Sequence, residues 1–172
     1  MEIERKFLIT EFPELPELLK ADVEQGYLCV KPVVRIRKKT TKGVSDYKLC
    51  FKGKGTLVRE EIELDIEENI YERLCGLLEM APVRKDFRVY LLPDGHRLEC
   101  SRVDPGEEGE FMYAEVEFDS VDEASSFIPP DFLEKEVTDI PGMSMSSYWK
   151  IKRARLFCSQ ESSPKMAKNK RK

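Results

Sequence analysis

Residues 1–9 read MEIERKFLI, and in this stretch charged and apolar side chains alternate. Successive side chains of a β-strand point to opposite faces of the sheet. One face of a strand here carries Glu2, Glu4 and Lys6, and the other carries Ile3, Arg5 and Phe7. The stretch therefore predicts a β-strand with one strongly charged face.

The same alternation recurs along the chain and predicts eight strands. The predicted strands cover residues 1–9, 25–30, 33–40, 46–51, 57–66, 83–92, 97–102 and 111–119. The turn sequence Pro93-Asp94-Gly95 joins two of them as antiparallel neighbours. Three further segments are predicted to be helices: 67–80, 120–127 and 144–157.

Eight mostly antiparallel strands with short turns favour either a sheet that closes on itself or a two-sheet sandwich. We expect the closed form, an α+β fold in which an eight-stranded antiparallel β-barrel has helices packed on its outside. The domain is predicted to cover residues 1–157, and the basic segment 158–172 is predicted to be a disordered tail.

Charged residues occupy one face of several predicted strands, and their sign differs between strands. The cations include Arg35, Arg37, Lys52 and Arg59, and the carboxylates include Glu61, Glu63, Glu115 and Glu117. An antiparallel sheet commonly has one solvated face, so one interpretation is an ordinary charged surface. In a barrel whose apolar faces point outward, the same charges would meet in the lumen, where a ligand and metal ions must neutralise them.

Such a lumen would have the composition of a site for metal-assisted phosphoryl transfer. Carboxylates supply the oxygen ligands that Mg²⁺ and Mn²⁺ prefer. Lysine and arginine side chains bind the oxygens of a polyanion with several phosphates. The sequence therefore favours a small-molecule phosphate compound as the ligand.

Composition argues against several other classes of protein. The net charge of the 172 residues is −4, and the acidic body that precedes the basic tail argues against a specific nucleic-acid partner. No apolar stretch approaches the roughly 20 residues that span a membrane, and the charged start is unlike a signal peptide. Five scattered cysteines and one histidine argue against a disulfide scaffold or a zinc cluster. We therefore expect a cytoplasmic protein without a membrane partner.

The opening Glu2-Ile3-Glu4-Arg5-Lys6 resembles the Glu-x-Glu-x-Lys signature of the CYTH superfamily, also called triphosphate tunnel metalloenzymes. Further segments are similar to the small bacterial members and follow in the same order: Gln25-Gly26-Tyr27-Leu28, Arg35-Ile36-Arg37, Phe51-Lys52, Arg59-x-Glu61-x-Glu63, Leu92-Pro93-Asp94-Gly95, Glu115-Val116-Glu117-Phe118, Phe127-Ile128-Pro129-Pro130 and Glu136-Val137-Thr138. The resemblance covers about residues 1–152. It implies an eight-stranded antiparallel tunnel that binds triphosphate and hydrolyses it with Mg²⁺ or Mn²⁺.

The resemblance also implies a role for each matching residue. The metal-binding carboxylates are expected to be Glu2, Glu4, Glu115 and Glu117. The phosphate-binding cations are expected to be Lys6, Arg35, Arg37, Lys52, Arg59 and Lys85. The supporting acidic residues of the tunnel are expected to be Glu61, Glu63 and Glu99.

Two residues are expected to act in catalysis, Tyr27 and Lys85, with Tyr27 matching a tyrosine proposed as a proton acceptor. The alternative for Tyr27 is an ordinary aromatic residue of a strand, because a neutral tyrosine has a pKa near 10 and is a poor base. A water activated by the metal is the alternative source of the nucleophile.

The chain departs from the family pattern at three places. Phe87 stands where the resemblance implies an arginine, and Ser101 stands where it implies an acid. The segment 139–143 lacks an expected Arg-Tyr pair. A bulge after Lys85 would turn Arg88 into the missing cation, whereas a regular strand would direct Arg88 outward.

The resemblance predicts hydrolysis of inorganic tripolyphosphate to pyrophosphate and phosphate by a monomer or a homodimer. Three alternatives to this activity remain open. They are a class IV adenylate cyclase, a thiamine triphosphatase, and a polyphosphate-binding module without turnover. The last is favoured by the departures at Phe87, Ser101 and Gly142.

Overall fold

The computed structural model describes residues 1–161, with side chains up to residue 158. Within these residues the chain forms ten strand segments and three helices. The strands are β1 (Glu2–Ile9), β2 (Glu17–Val30), β3 (Val33–Thr41), β4 (Val44–Lys52), β5 (Val58–Arg59), β6 (Glu61–Asp65), β7 (Val83–Leu91), β8 (Arg97–Val103), β9 (Phe111–Glu117) and β10 (Lys135–Glu136). The helices are α1 (Glu68–Cys75), α2 (Val121–Ser126) and α3 (Met145–Glu161).

The strands form one antiparallel sheet that returns almost to its beginning. Hydrogen-bonded neighbours follow the order β10-β1-β9-β8-β7-β2-β3-β4-β6. The short strand β5 directly precedes β6, the last strand of this order. It pairs with Glu2 and Ile3 of β1 and so connects the β6 end of the sheet back to β1. The prediction of a nearly closed antiparallel barrel is therefore confirmed.

The predicted number of strands was wrong, although all eight predicted strands are present. Nine strands lie along the hydrogen-bonded order, with β5 beside it. The predicted strand 57–66 divides at Glu60, whose carbonyl accepts a hydrogen bond from the Gly53 amide at 2.8 Å instead of joining a ladder. Strand β10 pairs with Phe7 and Leu8 of β1. Its two residues are too few to show an alternation of charged and apolar side chains, so the sequence did not predict it.

Strand β2 is much longer than the predicted segment 25–30. Its additional residues pair with β7, from Leu19 opposite Val89 to Gln25 opposite Val83. Residues 17–24 contain glutamate, lysine and alanine, which have weak strand propensity. Pairing with a neighbouring strand therefore decides the conformation of this segment.

The apolar faces of β1, β7, β8 and β9 point away from the lumen and form a core under α2. Its buried residues are Phe7, Ile9, Tyr90, Leu92, Leu98, Cys100, Ala114, Val116, Phe118, Ala124, Phe127 and Leu133. Helix α2 begins after Ser120, whose hydroxyl accepts a hydrogen bond from the Glu123 amide at 3.1 Å as an N-cap. The barrel therefore has its apolar core outside, and its polar faces meet inside.

Helix α1 ends at Cys75, five residues before the predicted end at Met80. Gly76 caps the helix, and the chain then turns so that Leu78 packs onto β2 at Gly26. A Cβ atom at Gly26 would lie 2.4 Å from a methyl group of Leu78, so a larger residue here would displace the Leu78 side chain. Leu77, which follows the end of the helix, is 70% exposed.

Helix α3 packs across one end of strands β2, β7, β8 and β9. Its Met145 and Trp149 contact Tyr27, Tyr113 and Val83 in a second buried cluster. The helix continues to Glu161, four residues beyond its predicted end and into the segment predicted to be a tail. Residues 162–172 of that segment lie outside the described residues. In the described part of the chain, no helix has the length and apolar character needed to cross a membrane.

Arg5 connects β1 to the structure outside the barrel. Its guanidinium donates to the carbonyls of Ala124 and Phe127 at 2.9 and 2.8 Å, at the end of α2. It also donates to both carboxylate oxygens of Glu136 on β10, at 2.9 and 2.6 Å. The Arg5 side chain is 15% exposed, so these charged hydrogen bonds are partly shielded from water.

We predict that Arg5→Ala lowers the free energy of unfolding by about 2–3 kcal/mol, because it removes charged hydrogen bonds and leaves two carbonyls without a donor. Urea denaturation followed by circular dichroism measures the change. The matched control is Arg102→Ala, which removes an ion pair to Glu110 from a side chain that is 43% exposed. The control should cost less than about 1 kcal/mol. Equal losses in the two variants would contradict an anchoring role for Arg5.

Candidate functional site in the tunnel

The barrel encloses a cavity with a volume of about 1490 Å³. All the residues that the sequence predicted for the site line this cavity: Glu2, Glu4, Lys6, Tyr27, Arg35, Arg37, Lys52, Arg59, Glu61, Glu63, Lys85, Glu99, Glu115 and Glu117. Of the two sequence interpretations, a solvated outer surface and a charged lumen, the structure selects the lumen. Alternation along each strand is sufficient to bring these residues together once the sheet closes.

Four carboxylates lie on the neighbouring strands β1 and β9. Glu4 lies directly opposite Glu117, and Glu115 lies opposite Lys6. Burial and the charge of Glu115 raise the pKa of Glu4 to about 8. Burial and the charges of Glu2 and Glu115 also raise the pKa of Glu117.

This group of carboxylates fits a divalent cation. Its donors are hard carboxylate oxygens, which suit Mg²⁺ and Mn²⁺. The raised pKa values of Glu4 and Glu117, caused by burial and then by neighbouring carboxylates, mean that the ionised form of both groups is disfavoured here. A bound cation would offset that repulsion and favour the ionised form of both groups.

A second group with suitable ligand atoms consists of Cys50, Glu61 and Glu63. Cations surround its carboxylates closely. Arg35 lies 3.4 Å from Glu61 and 3.3 Å from Glu63, and Lys52 lies 2.8 Å from Glu61. Negative charge is therefore better neutralised here than at Glu4 and Glu117.

Glu2 and Glu4 are connected to the opposite side of the barrel by ion pairs. Arg59 donates to Glu2 at 2.6 Å and to Glu4 at 2.5 Å. Lys52 lies 3.0 Å from Glu2 and 2.8 Å from Glu61, so it bridges two carboxylates. These cations are the ones that the sequence assigned to phosphate, and here they bind carboxylates.

The guanidinium groups of Arg35 and Arg37 each have a hydrogen-bond donor without an acceptor. Besides its contacts with Glu61 and Glu63, Arg35 has a buried Nε without a hydrogen-bond acceptor. Arg37 lies 3.4 Å from Glu63 and also has a buried Nε without an acceptor. Unpaired buried donors cost free energy, so both groups favour an additional acceptor such as a phosphate oxygen.

Lys6 and Lys85 meet at Tyr113. The Lys6 ammonium lies 3.0 Å from Glu115 and 3.7 Å from the centre of the Tyr113 ring. The Lys85 ammonium lies 2.6 Å from the Tyr113 hydroxyl. Burial holds the pKa of Lys85 well below its usual value, so Lys85 is a buried amine that an anion would stabilise in its charged form.

Tyr27 is buried between Gln25 and α3. The Gln25 side chain donates to the Tyr27 hydroxyl at 3.0 Å, and the Trp149 ring centre lies 5.6 Å from that of Tyr27. Burial raises the pKa of Tyr27, which disfavours the phenolate that a proton acceptor would need. The surroundings therefore favour the structural alternative for this residue.

Glu99 lies opposite Glu115 on β8 and faces the lumen. Burial, followed by the charges of Glu117 and Glu115, raises its pKa to about 7. Glu99 therefore belongs with Glu4 and Glu117, whose ionised forms are disfavoured, rather than with the ion-paired Glu61 and Glu63.

Several lining residues were missed by the sequence interpretation: Gln25, Lys39, Arg97 and Tyr113. Each lies an even number of positions from a predicted site residue on its strand, so the alternation contained the signal. Gln25 and Tyr113 are uncharged, so a pattern of charged side chains on one strand face does not include them.

The strand that carries Lys85 is regular. Its pairing with β8 places Phe87 opposite Ser101 and Arg88 opposite Cys100, without a bulge. Phe87 and Ser101 line the lumen. Arg88 faces outward, where it contacts Asp86 and stacks on Phe12 at 4.0 Å. Arg88 therefore does not replace the missing cation.

Comparison with known proteins identifies relatives of the chain. It is 38% identical over 138 residues to an inorganic triphosphatase from Nitrosomonas europaea, a match that covers 80% of this chain and 89% of the relative. The crystal structure of the inorganic triphosphatase NE1496 superposes with a TM-score of 0.62 at 31% identity and covers 86% of this chain and 93% of that one.

A more distant neighbour shares the fold alone. It is HpAC1 from Hippeastrum, a protein with a dominant triphosphatase activity, at 17% identity and a TM-score of 0.50, covering 73% of this chain and 83% of that one. No family model matches the chain. The identity to the Nitrosomonas relative and the extent of that match are sufficient to conclude that the chain belongs to the inorganic triphosphatase family.

Proposed function

We propose that this protein hydrolyses inorganic tripolyphosphate to pyrophosphate and phosphate inside its tunnel, with Mg²⁺ or Mn²⁺ as the cofactor. One observation carries the proposal: a group of neighbouring buried carboxylates and cations with unused donors line the same cavity. This is the combination that a complex of a divalent cation and a polyphosphate requires. The inorganic triphosphatase relatives support the same activity.

In this proposal, Glu2, Glu4, Glu115 and Glu117 hold the metal, with Glu99 beside them. A bound divalent cation would supply charge that activates water and neutralises phosphate oxygens. The phosphate chain is held by the tunnel cations Lys6, Arg35, Arg37, Lys52, Arg59 and Lys85. Glu61 and Glu63 orient Arg35, Arg37 and Lys52 through their ion pairs.

In this proposal, ligand binding exchanges the ion-pair partners of the lumen cations and carboxylates. Arg59 and Lys52 now neutralise Glu2 and Glu4, and these carboxylates become available to the metal when the cations turn to phosphate. Buried charges stay neutralised in both states, which keeps the cost of opening the ion pairs low. Metal and triphosphate should therefore strengthen each other's binding.

We further propose membership of the CYTH superfamily, a cytoplasmic location, and a monomer or a homodimer as the assembly. The single proposed partner is a small-molecule triphosphate, without a specific nucleic acid or a membrane. The acidic composition and the Glu-x-Glu-x-Lys opening support these assignments.

The alternatives are separated by a panel of substrates and metals. Phosphate release from tripolyphosphate, ATP and thiamine triphosphate is measured with Mg²⁺ and with Mn²⁺, and cyclic AMP is measured in the ATP reactions. We expect tripolyphosphate to be hydrolysed fastest. A roughly tenfold preference for an organic triphosphate, formation of cyclic AMP, or tight binding without release would each replace the proposed function by the corresponding alternative.

Glu117→Gln should abolish metal-dependent hydrolysis, because the amide keeps the shape of the side chain and removes a charge that the cation needs. The melting temperature of the metal-free protein should hold or rise, because burial and then the neighbouring carboxylates raise the pKa of Glu117 and disfavour its charge. Glu2→Gln should also abolish hydrolysis but should lower that melting temperature, because Glu2 is paired with Lys52 and Arg59. Near wild-type turnover with a normal metal requirement would remove either residue from the metal site.

The metal-free protein should lose stability as the pH rises from about 4.5 to about 7. The pKa of Glu99 is raised to about 7 from an unfolded value near 4.5, so the folded state holds an extra proton in this interval. Thermal melts at pH 5 and pH 7.5 measure the loss, and Glu99→Gln should reduce it. Added Mn²⁺ should restore stability mainly at the higher pH. Identical pH profiles for wild type and Glu99→Gln would contradict the raised pKa.

Arg35→Ala should weaken the affinity for tripolyphosphate by about 10- to 150-fold, because a charged hydrogen bond contributes about 1.5–3 kcal/mol. Phe87→Arg should strengthen it by adding a cation to the lumen. The control is Arg88→Ala on the same strand, whose side chain faces outward. Calorimetric titration measures all three affinities. Loss of affinity in Arg88→Ala without a loss in Arg35→Ala would contradict the assignment of the phosphate site.

A further inference from the structure

We propose that Tyr113 is the positioning residue of the phosphate site, which sets the places of the Lys85 and Lys6 ammonium groups; this inference rests on the proposed function. Tyr113 lies in the middle of the lumen face of β9, two residues before Glu115. It is 1% exposed, so its hydroxyl and ring are available to groups of the protein rather than to bulk water.

The hydroxyl of Tyr113 is the partner of Lys85. The Lys85 ammonium donates to it at 2.6 Å, and within residues 1–158 no carboxylate forms an ion pair with this lysine. A neutral oxygen can orient an ammonium without neutralising it. Lys85 is therefore held in place without a carboxylate partner, and a phosphate oxygen that binds it would stabilise its charged form.

The ring of Tyr113 holds the second lysine. The Lys6 ammonium lies 3.7 Å from the ring centre, over its negative face, and the Lys85 ammonium lies 5.2 Å from the same centre. Glu115, which lies 3.0 Å from the Lys6 ammonium, is the carboxylate beside this pair of lysines. When Glu115 binds a metal ion as proposed, a phosphate would take its place as the anion between Lys6 and Lys85.

The departure at Ser101 belongs to the same arrangement. Ser101 lies opposite Tyr113 on β8 and lines the same cavity. The acid that the family resemblance implies at this position would compete with the phosphate for the lumen cations. A serine at this position carries no charge and leaves Lys85 without a carboxylate partner there.

The test is a double-mutant cycle between Tyr113→Phe and Lys85→Met, with hydrolysis of tripolyphosphate as the readout. Tyr113→Phe keeps the ring and removes only the acceptor, so we expect KM to rise about tenfold and kcat to change less than about threefold. In the Lys85→Met protein, the same substitution should change KM less than about twofold, because the group that Tyr113 positions is absent.

The control is Tyr148→Phe, whose hydroxyl donates to Asp104 at 2.7 Å away from the lumen. It should lower the melting temperature and leave KM unchanged. An unchanged KM in Tyr113→Phe, or an equal rise with and without Lys85, would overturn the positioning role. If the wild-type protein releases no phosphate from any triphosphate, the proposed function fails instead. The same cycle is then measured as calorimetric affinity for tripolyphosphate, and the same two outcomes apply.

Discussion

The neutralisation of buried charge inside a closed barrel is the constraint on which the rest of this structure depends. Ionised groups cannot be removed from water unless other charges or hydrogen bonds replace it. Here the lumen meets most of that requirement internally, through pairs such as Arg59 with Glu2 and Lys6 with Glu115. The pairs connect strands that are distant in sequence and help to hold the barrel closed.

The internal neutralisation is incomplete at two places, and they have opposite signs. At Glu4, Glu99 and Glu117, burial and then the neighbouring carboxylates raise the pKa values, so negative charge is disfavoured there. At Lys85, burial lowers the pKa, so positive charge is disfavoured there. In the proposed function, a metal cation would favour the ionised carboxylates, and a phosphate anion would favour the charged lysine. One cavity can therefore suit both components.

Alternation in the sequence was enough to predict which residues face the lumen, because a strand has only two faces. It was not enough to predict the pairs that they form. The contact between Arg59 and Glu2 exists because β5 returns to β1 across 57 positions of the chain. Such contacts depend on the register of the closed sheet, which no short segment encodes. Local signals failed for a similar reason at Gly76, where the packing of Leu78 onto Gly26 ended a helix that its apolar spacing would continue.

The uncharged pair Phe87 and Ser101 has a consequence for the whole lumen. Replacing one implied cation and one implied acid together leaves the net charge of the tunnel unchanged, so the neutralisation of the other groups is not disturbed. The replacement does change how the cations are distributed over the wall of the barrel. On this part of the wall, Phe87 continues into Val89 and Leu19, which also line the cavity and are apolar. Apart from Lys85 and Arg97, the lysines and arginines that line the described cavity lie on β1, β3, β4 and β5. A phosphate chain should therefore lie along the charged wall, and the orientation of Lys85 by Tyr113 matters more in this tunnel than in one with a second cation beside it.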